Sequence, residues 1–206
     1  MLGGTFDPIH NGHLAMARAA REALDLERVL LVPAGMPPHK QGEITPFADR
    51  LEMVRLAASG TPWLEVSDLE GRRGGISYTV DTLRELAVAH PRAALFFIIG
   101  EDTIPELRLW RDLPGILDRA RIAAVSRPGP RRSYGPLLFP GIAPEKLEAL
   151  ERDRIEMAPV PVASREVRRA VARGESIDQL VPPAVAGYIR ERGLYRPGAE
   201  ARKGRP

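Results

Sequence analysis

The sequence contains no cysteine, which excludes disulfides, thiolate metal sites and cysteine nucleophiles and permits a reducing cytoplasm. Nor does any apolar run approach the roughly 20 residues that a membrane-spanning helix needs; stretches such as Ala93 to Ile99 are far shorter. Met1 to His13 carry Gly, Asp and His in place of a basic start and an apolar run, so they do not read as a signal peptide. A cytoplasmic protein without a membrane partner is expected. Aromatic residues make up 5%, and without a basic stripe interleaved with aromatics no nucleic-acid partner is expected. Charge of neither sign dominates: 30 Lys and Arg against 27 Asp and Glu leave +3, much of it in Arg196, Arg202, Lys203 and Arg205.

What is present is ordinary globular material, 44% hydrophobic and 28% charged over 206 residues. That length suits one compact domain, expected over residues 1–197, with 198–206 as a solvated tail. Apolar runs recur as Val29 to Val32, Trp63 to Val66, Leu95 to Ile99, Ile122 to Val125 and Ile155 to Val160, each read as a strand. Helical spacing separates them, in Leu14, Ala17 and Leu24; Leu51, Val54 and Ala58; Val80, Leu83 and Leu86; Val167 and Val171; and Val185, Tyr188 and Ile189. Alternating β and α with continuous apolar strands predicts an α/β fold, a doubly wound, mostly parallel Rossmann-like sheet with helices on both faces. Ligands of such sheets sit beyond the carboxyl ends of the strands, which assigns the chemistry to the loops Ala34 to Pro46, Gly71 to Tyr78, Gly100 to Thr103 and Arg127 to Pro136. The Pro- and Gly-rich stretch Pro128 to Pro144 reads as an irregular surface loop. Only Met1 and Leu2 precede Gly3, which leaves very little first strand and suggests a natural start further upstream.

The opening Gly3-Gly4-Thr5-Phe6-Asp7-Pro8-Ile9-His10-Asn11-Gly12-His13-Leu14 is Gly-rich, punctuated by proline, and leads into a helical pattern. Unpaired amides at such a helix start favour an anion. His10 and His13 are three apart, so both imidazoles lie on one face near the helix N-terminus and are expected to meet a phosphate. Gly3 and Gly4 permit a tight turn, and Gly12 a close approach of ligand to backbone. No Gly-Lys-Ser/Thr follows and the glycine spacing is not that of a dinucleotide fingerprint, so kinase-like and dehydrogenase-like readings lose support. A metal site is not expected, because no third His or Cys lies near the histidine pair.

The string Gly3 to Leu14, with its His-x-Gly-His core, resembles the opening motif of the nicotinate-nucleotide adenylyltransferases. Pro37-Pro38-His39-Lys40, Ser77-Tyr78-Thr79, Ile98-Ile99-Gly100-Glu101-Asp102, Trp110, Arg127-Pro128-Gly129, Tyr188-Ile189 and Gly193-Leu194-Tyr195 follow in that family's order. The chain departs from it in its short first strand and in Val162-Ala163-Ser164-Arg165-Glu166-Val167-Arg168, where the family commonly reads Ile-Ser-Ser-Thr-x-Ile-Arg; Ser164 and Arg168 carry over. The resemblance implies that ATP and nicotinate mononucleotide are the substrates, that nicotinate adenine dinucleotide and pyrophosphate are the products, and that Mg2+ accompanies ATP. It implies catalytic roles for His10, His13, Lys40 and Arg168. ATP would be held by Gly3, Gly4, Thr5, Phe6, Gly12, His13, Gly100, Asp102, Ser164 and Arg168. The nicotinate nucleotide would meet Thr5, Lys40, Ser77, Tyr78, Thr79 and Trp110, with backbone contacts from Tyr78 and Thr79 to its carboxylate and Trp110 stacked on its ring. A homo-oligomer is compatible with the sequence. The competing readings are a related enzyme acting on nicotinamide mononucleotide or another phosphate acceptor, against which Ser77-Tyr78-Thr79 and Trp110 argue, and a non-catalytic nucleotide- or RNA-binding module suggested by the pI of 9.6, which leaves His10 and His13 unexplained.

Overall fold

The computed structural model describes residues 1–38, 44–129, 134 and 137–197. Six strands alternate with helices: β1 (Leu2–Gly4), α1 (Asn11–Ala23), β2 (Val29–Pro33), α2 (Phe47–Ala58), β3 (Leu64–Val66), α3 (Leu69–Arg73), α4 (Thr79–Ala89), β4 (Phe96–Gly100), a 3-10 helix (Glu101–Leu109), α5 (Leu113–Arg119), β5 (Arg121–Ser126), α6 (Pro144–Arg152), β6 (Arg154–Glu156), α7 (Ser164–Ala172) and α8 (Pro183–Arg192). The strands form one sheet in the order β3-β2-β1-β4-β5-β6, with every pairing parallel. Sequential strands wind outward in opposite directions from the β1/β4 junction, which leaves a crevice there at the carboxyl edge of the sheet.

The period-2 alternation of the strands divides the core between two faces. Ile98 of β4 and Ala123 and Val125 of β5 join one cluster with Ala17 and Ala20 of α1, Met53 and Val54 of α2, Val167 of α7 and Ile189 of α8. Phe97, Ile99, Ile122 and Ala124 face the other way, onto Leu83 of α4, Ile104 and Leu107 of the 3-10 helix, Ile116 of α5 and Leu147 and Leu150 of α6. Both faces are therefore covered, as continuous apolar strands require.

Several sequence expectations are corrected. β1 forms with three residues, pairing with β2 from Leu2 to Gly4 while the carbonyl of Met1 accepts from Ile98 N at 2.8 Å; a central strand can be this short because both neighbours support it. Gly3 and Gly4 lie in that strand rather than in the turn. β6 stops at Glu156 instead of running to Val160, because Pro159 and Pro161 lack the donors a ladder needs. α3 occupies part of the expected loop Gly71 to Tyr78, and the 3-10 helix part of Gly100 to Thr103. Within the stretch expected to be an irregular surface loop, Tyr134 and Phe139 are buried in the second core cluster. The proposed tail, 198–206, lies outside the described residues. Among the described residues, no helix is long and apolar enough to cross a membrane.

Candidate active site

The turn that joins β1 to α1 is shaped by Phe6, whose φ of +49° is left-handed. Its ring folds back over Gly4, where an added Cβ would lie 3.1 Å from it. Phe6 is buried and meets His13 edge-on, with ring centroids 5.0 Å apart at 88°. The side chain thus backs the turn rather than facing a ligand.

His10 is the N-cap residue of α1 and His13 its third helical residue. The imidazoles stack with centroids 3.6 Å apart at 21°, so the i, i+3 spacing brings them together as expected. The backbone N–H of His10 donates to Nδ1 of His13 at 3.2 Å, which leaves the proton of neutral His13 on Nε2. Burial pushes the His10 imidazole down to about 4, and burial first and nearby His10 second hold His13 well below the usual imidazole range. Both rings are therefore neutral near pH 7. Only His13 of the pair lines the crevice; His10 and Val162 fill the space beside Gly12, where a Cβ would lie 3.1 to 3.2 Å from them. The absence of a Cβ at Gly12 thus makes room for these two side chains.

The crevice encloses about 650 Å³, within the usual range for a small-molecule site. Gly3, Gly4, Thr5 and His13 line it from the β1 turn, Ser77, Tyr78, Thr79 and Trp110 from the α4 end, and Gly100 and Asp102 from the end of β4. Tyr78 is the N-cap of α4 and Thr79 its first residue, and both line the crevice, so the N-terminus of that helix opens here. The hydroxyl of Ser77 accepts from Gly35 N at 3.1 Å and Met36 N at 3.2 Å, which pins the loop after β2. Tyr78 lies under the guanidinium of Arg111 at 4.5 Å. Trp110, half-buried, tilts against Phe97 with centroids 5.8 Å apart. Exposed Asp102 stands in the first turn of the 3-10 helix, and a Cβ on Gly100 would lie 2.4 Å from its Oδ1, a contact that a turn of this side chain relieves. Lys40 lies outside the described residues.

The chain matches the cytidylyltransferase-like family over residues 1–172. It is 42% identical over 206 residues to a protein of Desulfitobacterium hafniense named as a probable nicotinate-nucleotide adenylyltransferase, covering 95% of this chain and 94% of that one. A likewise named protein of Symbiobacterium thermophilum is 43% identical over 199 residues, covering 96% and 95%. This chain belongs to the nicotinate-nucleotide adenylyltransferase family. Its fold is also that of the Plasmodium falciparum nicotinic acid mononucleotide adenylyltransferase solved in complex with APC, with a TM-score of 0.69, 18% identity and 94% of each chain covered. The same enzyme solved with NaAD gives the same TM-score.

In this adenylyltransferase the second motif supports the first. Ala163 is the N-cap of α7 and Ser164 its first residue. The Ser164 hydroxyl donates to the carbonyl of Pro8 at 2.9 Å, and Nη1 of Arg168 to the carbonyl of Asp7 at 2.6 Å. Neither lines the crevice, so in this state both hold the turn.

Sequence reasoning missed three residues of this arrangement. Arg50, only 1% exposed, donates to the carbonyls of Thr45 at 2.9 Å, Thr5 at 2.7 Å and Gly35 at 3.1 Å, tying together the turn and the loop after β2. The available signal was a charged residue at the i, i+3, i+4 positions of an apolar stripe that includes Met53 and Val54. Buried Asp7 accepts from the hydroxyl of Tyr195 at 2.7 Å and from Thr45 N at 3.3 Å. No sequence signal pairs residues so far apart. Glu70, also buried, accepts from the Thr82 hydroxyl at 2.6 Å and from Gly35 N at 3.3 Å on the crevice wall.

Proposed function

We propose that this protein transfers the adenylyl group of ATP to nicotinate mononucleotide, giving nicotinate adenine dinucleotide and pyrophosphate. The observation that carries this reading is a single crevice at the sheet's switch point that joins the β1 turn and His13 to the N-terminus of α4 and Trp110. Phosphates at one end and a nicotinate at the other would place the acceptor phosphate beside the α-phosphorus of ATP. An oxygen of the mononucleotide phosphate attacks that phosphorus, the bond to the bridging oxygen breaks, and the electron pair leaves with pyrophosphate. The attacking phosphate has a second pKa of about 6, so no general base is required. Catalysis then rests on alignment and on donors directed at accumulating charge.

His13 supplies such a donor, the Nε2–H fixed by its bond from His10 N. His10 supports it by stacking. Thr5 lines the β1-turn end beside His13, where both nucleotides' phosphates would meet, Gly3, Gly4 and Gly100 keep backbone close to the nucleotide, and Asp102 offers acceptors to ribose hydroxyls. Ser164 and Arg168 reach the phosphates through the turn they hold, with the remaining guanidinium N–H groups of Arg168 as further donors. The first-turn amides of α4 meet the nicotinate carboxylate, and Trp110 stacks on its ring. Among the described residues, no three His, Asp or Glu side chains converge as a metal cage. A divalent cation, Mg2+ in this proposal, would therefore be carried by phosphate oxygens and water. A cytoplasmic location follows from the same reading.

Purified protein incubated with ATP, Mg2+ and either nicotinate or nicotinamide mononucleotide should form dinucleotide mainly from the nicotinate substrate, read by chromatography and pyrophosphate assay. Turnover with neither mononucleotide would refute the assigned acceptor.

A further inference from the structure

Two tyrosines near the C-terminus each donate to a buried aspartate, and the two bonds differ in what they join. The hydroxyl of Tyr188 donates to Oδ1 of Asp49 at 2.9 Å, docking α8 on α2. The hydroxyl of Tyr195 donates to Oδ1 of Asp7 at 2.7 Å, docking the chain after α8 on the turn that opens the crevice. Gly193 ends α8 with a φ of +62°, and Tyr195 itself has a φ of +63°, a conformation that non-glycine residues adopt only when their surroundings impose it. Leu194, between them, is buried in the first core cluster. The segment is thus held in a strained path that delivers one hydroxyl to one carboxylate.

Asp7 is where separate elements meet the turn. One carboxylate oxygen takes the Tyr195 hydroxyl and the other Thr45 N. Its carbonyl takes Arg168 of α7. The carbonyl of Thr5, two residues earlier, takes Arg50, and that of Pro8, the next residue, takes Ser164. Among these contacts, Tyr195 is the side-chain donor to the Asp7 carboxylate. We propose that Tyr195 is a positioning residue, whose hydroxyl fixes Asp7 and thereby the conformation of the Thr5–Pro8 turn. That this turn then places the ATP phosphates rests on the function proposed above. Burial and Asp7 both raise the phenol, so it remains a donor throughout the ordinary pH range.

The test compares Tyr195→Phe with Tyr188→Phe, which removes the same kind of bond without touching the turn. In the free protein, amide hydrogen exchange at Thr5, Phe6, Asp7 and Ile9 should accelerate by about tenfold in Tyr195→Phe and stay within about twofold of wild type in Tyr188→Phe. With substrates, Tyr195→Phe should lower kcat/KM for ATP by about tenfold and leave the KM of the mononucleotide within about twofold. Adding Tyr195→Phe to Asp7→Ala should cost little further. Unchanged exchange at the turn, or equal acceleration in both tyrosine variants, would overturn the proposal. If wild type forms no dinucleotide, the proposed reaction fails while the exchange comparison still decides the role of the hydroxyl.

Discussion

The two ends of the crevice are built differently. At the β1 turn, the carbonyls of Thr5, Asp7 and Pro8 each accept from a side chain of a distant element, and the Asp7 carboxylate accepts twice more. At the α4 end apolar side chains stand open: Leu109, which lines the crevice, is 67% exposed, Met36 and Ile76, next in the chain to its lining residues Pro37 and Ser77, are 58% and 49% exposed, and Trp110 leans on Phe97 alone among the described aromatic rings. A turn held from four directions suits a ligand whose charge must be met by fixed donors, since such donors need no reorganisation during reaction. An open apolar rim suits the binding of a ring, where contact area matters more than angle.

The sharpest way to break this contrast is to remove the buried cation behind the turn. Arg50→Leu leaves the carbonyls of Thr5, Gly35 and Thr45 without their shared donor. The expected cost is about 3 to 5 kcal/mol, or roughly 10 °C in Tm for a chain of this size, measured by thermal and urea unfolding. A loss under about 1 kcal/mol would mean that the turn is not held by Arg50. Next in size, His13→Ala should lower kcat by about 100- to 1,000-fold with the KM for ATP changed by under about threefold. Retention of wild-type turnover would remove His13 from the proposed mechanism.

Acid should loosen the same end. An unfolded imidazole takes up its proton near 6.5, whereas folded His10 resists until about 4. Between those values the unfolded state binds more protons, so stability falls as pH falls, by up to about 3 kcal/mol from His10 alone; His13 acts in the same direction. Urea titrations at pH 7 and pH 5 should show the loss, and His10→Asn should reduce it. A triphosphate near the pair would favour the charged imidazoles, so nucleotide binding near pH 6 should draw protons from the buffer, detectable by calorimetry in buffers of different ionisation enthalpy.

The contrast also separates what the sequence made legible from what it did not. The parallel sheet was readable because strands buried on both faces must be continuously apolar, as Leu95 to Ile99 is, and the convergence of His10 and His13 followed from helical period alone. Tyr78, Gly100 and Asp102 were placed by the rule that strand ends carry ligands, Thr79 and Trp110 by the family resemblance alone, and all five line the crevice. Hidden instead were the contacts behind the turn. Ser164 and Arg168 looked like phosphate ligands, because a hydroxyl and a guanidinium at a helix start suit an anion as well as a carbonyl. Only the packing of α7 against Asp7 and Pro8 shows which acceptor they meet here. The bond between Asp7 and Tyr195 spans nearly the whole chain, beyond any local pattern.

The smallest expected effect tests the open end. Trp110 lines the crevice at the start of the connection from the 3-10 helix to α5, so its indole can be shortened without reaching the turn. Trp110→Ala should raise the KM of nicotinate mononucleotide by about tenfold, the scale of one lost ring stack with its buried area. kcat at saturation and the KM for ATP should move by less than about twofold, because stacking stabilises ground and transition states alike. Trp110→Phe should recover most of the loss. An equal rise in both KM values would instead show that the two ends are mechanically coupled through Phe97 and β4, since β4 pairs directly with β1 at Leu2; the open rim would then belong to the same rigid unit as the turn.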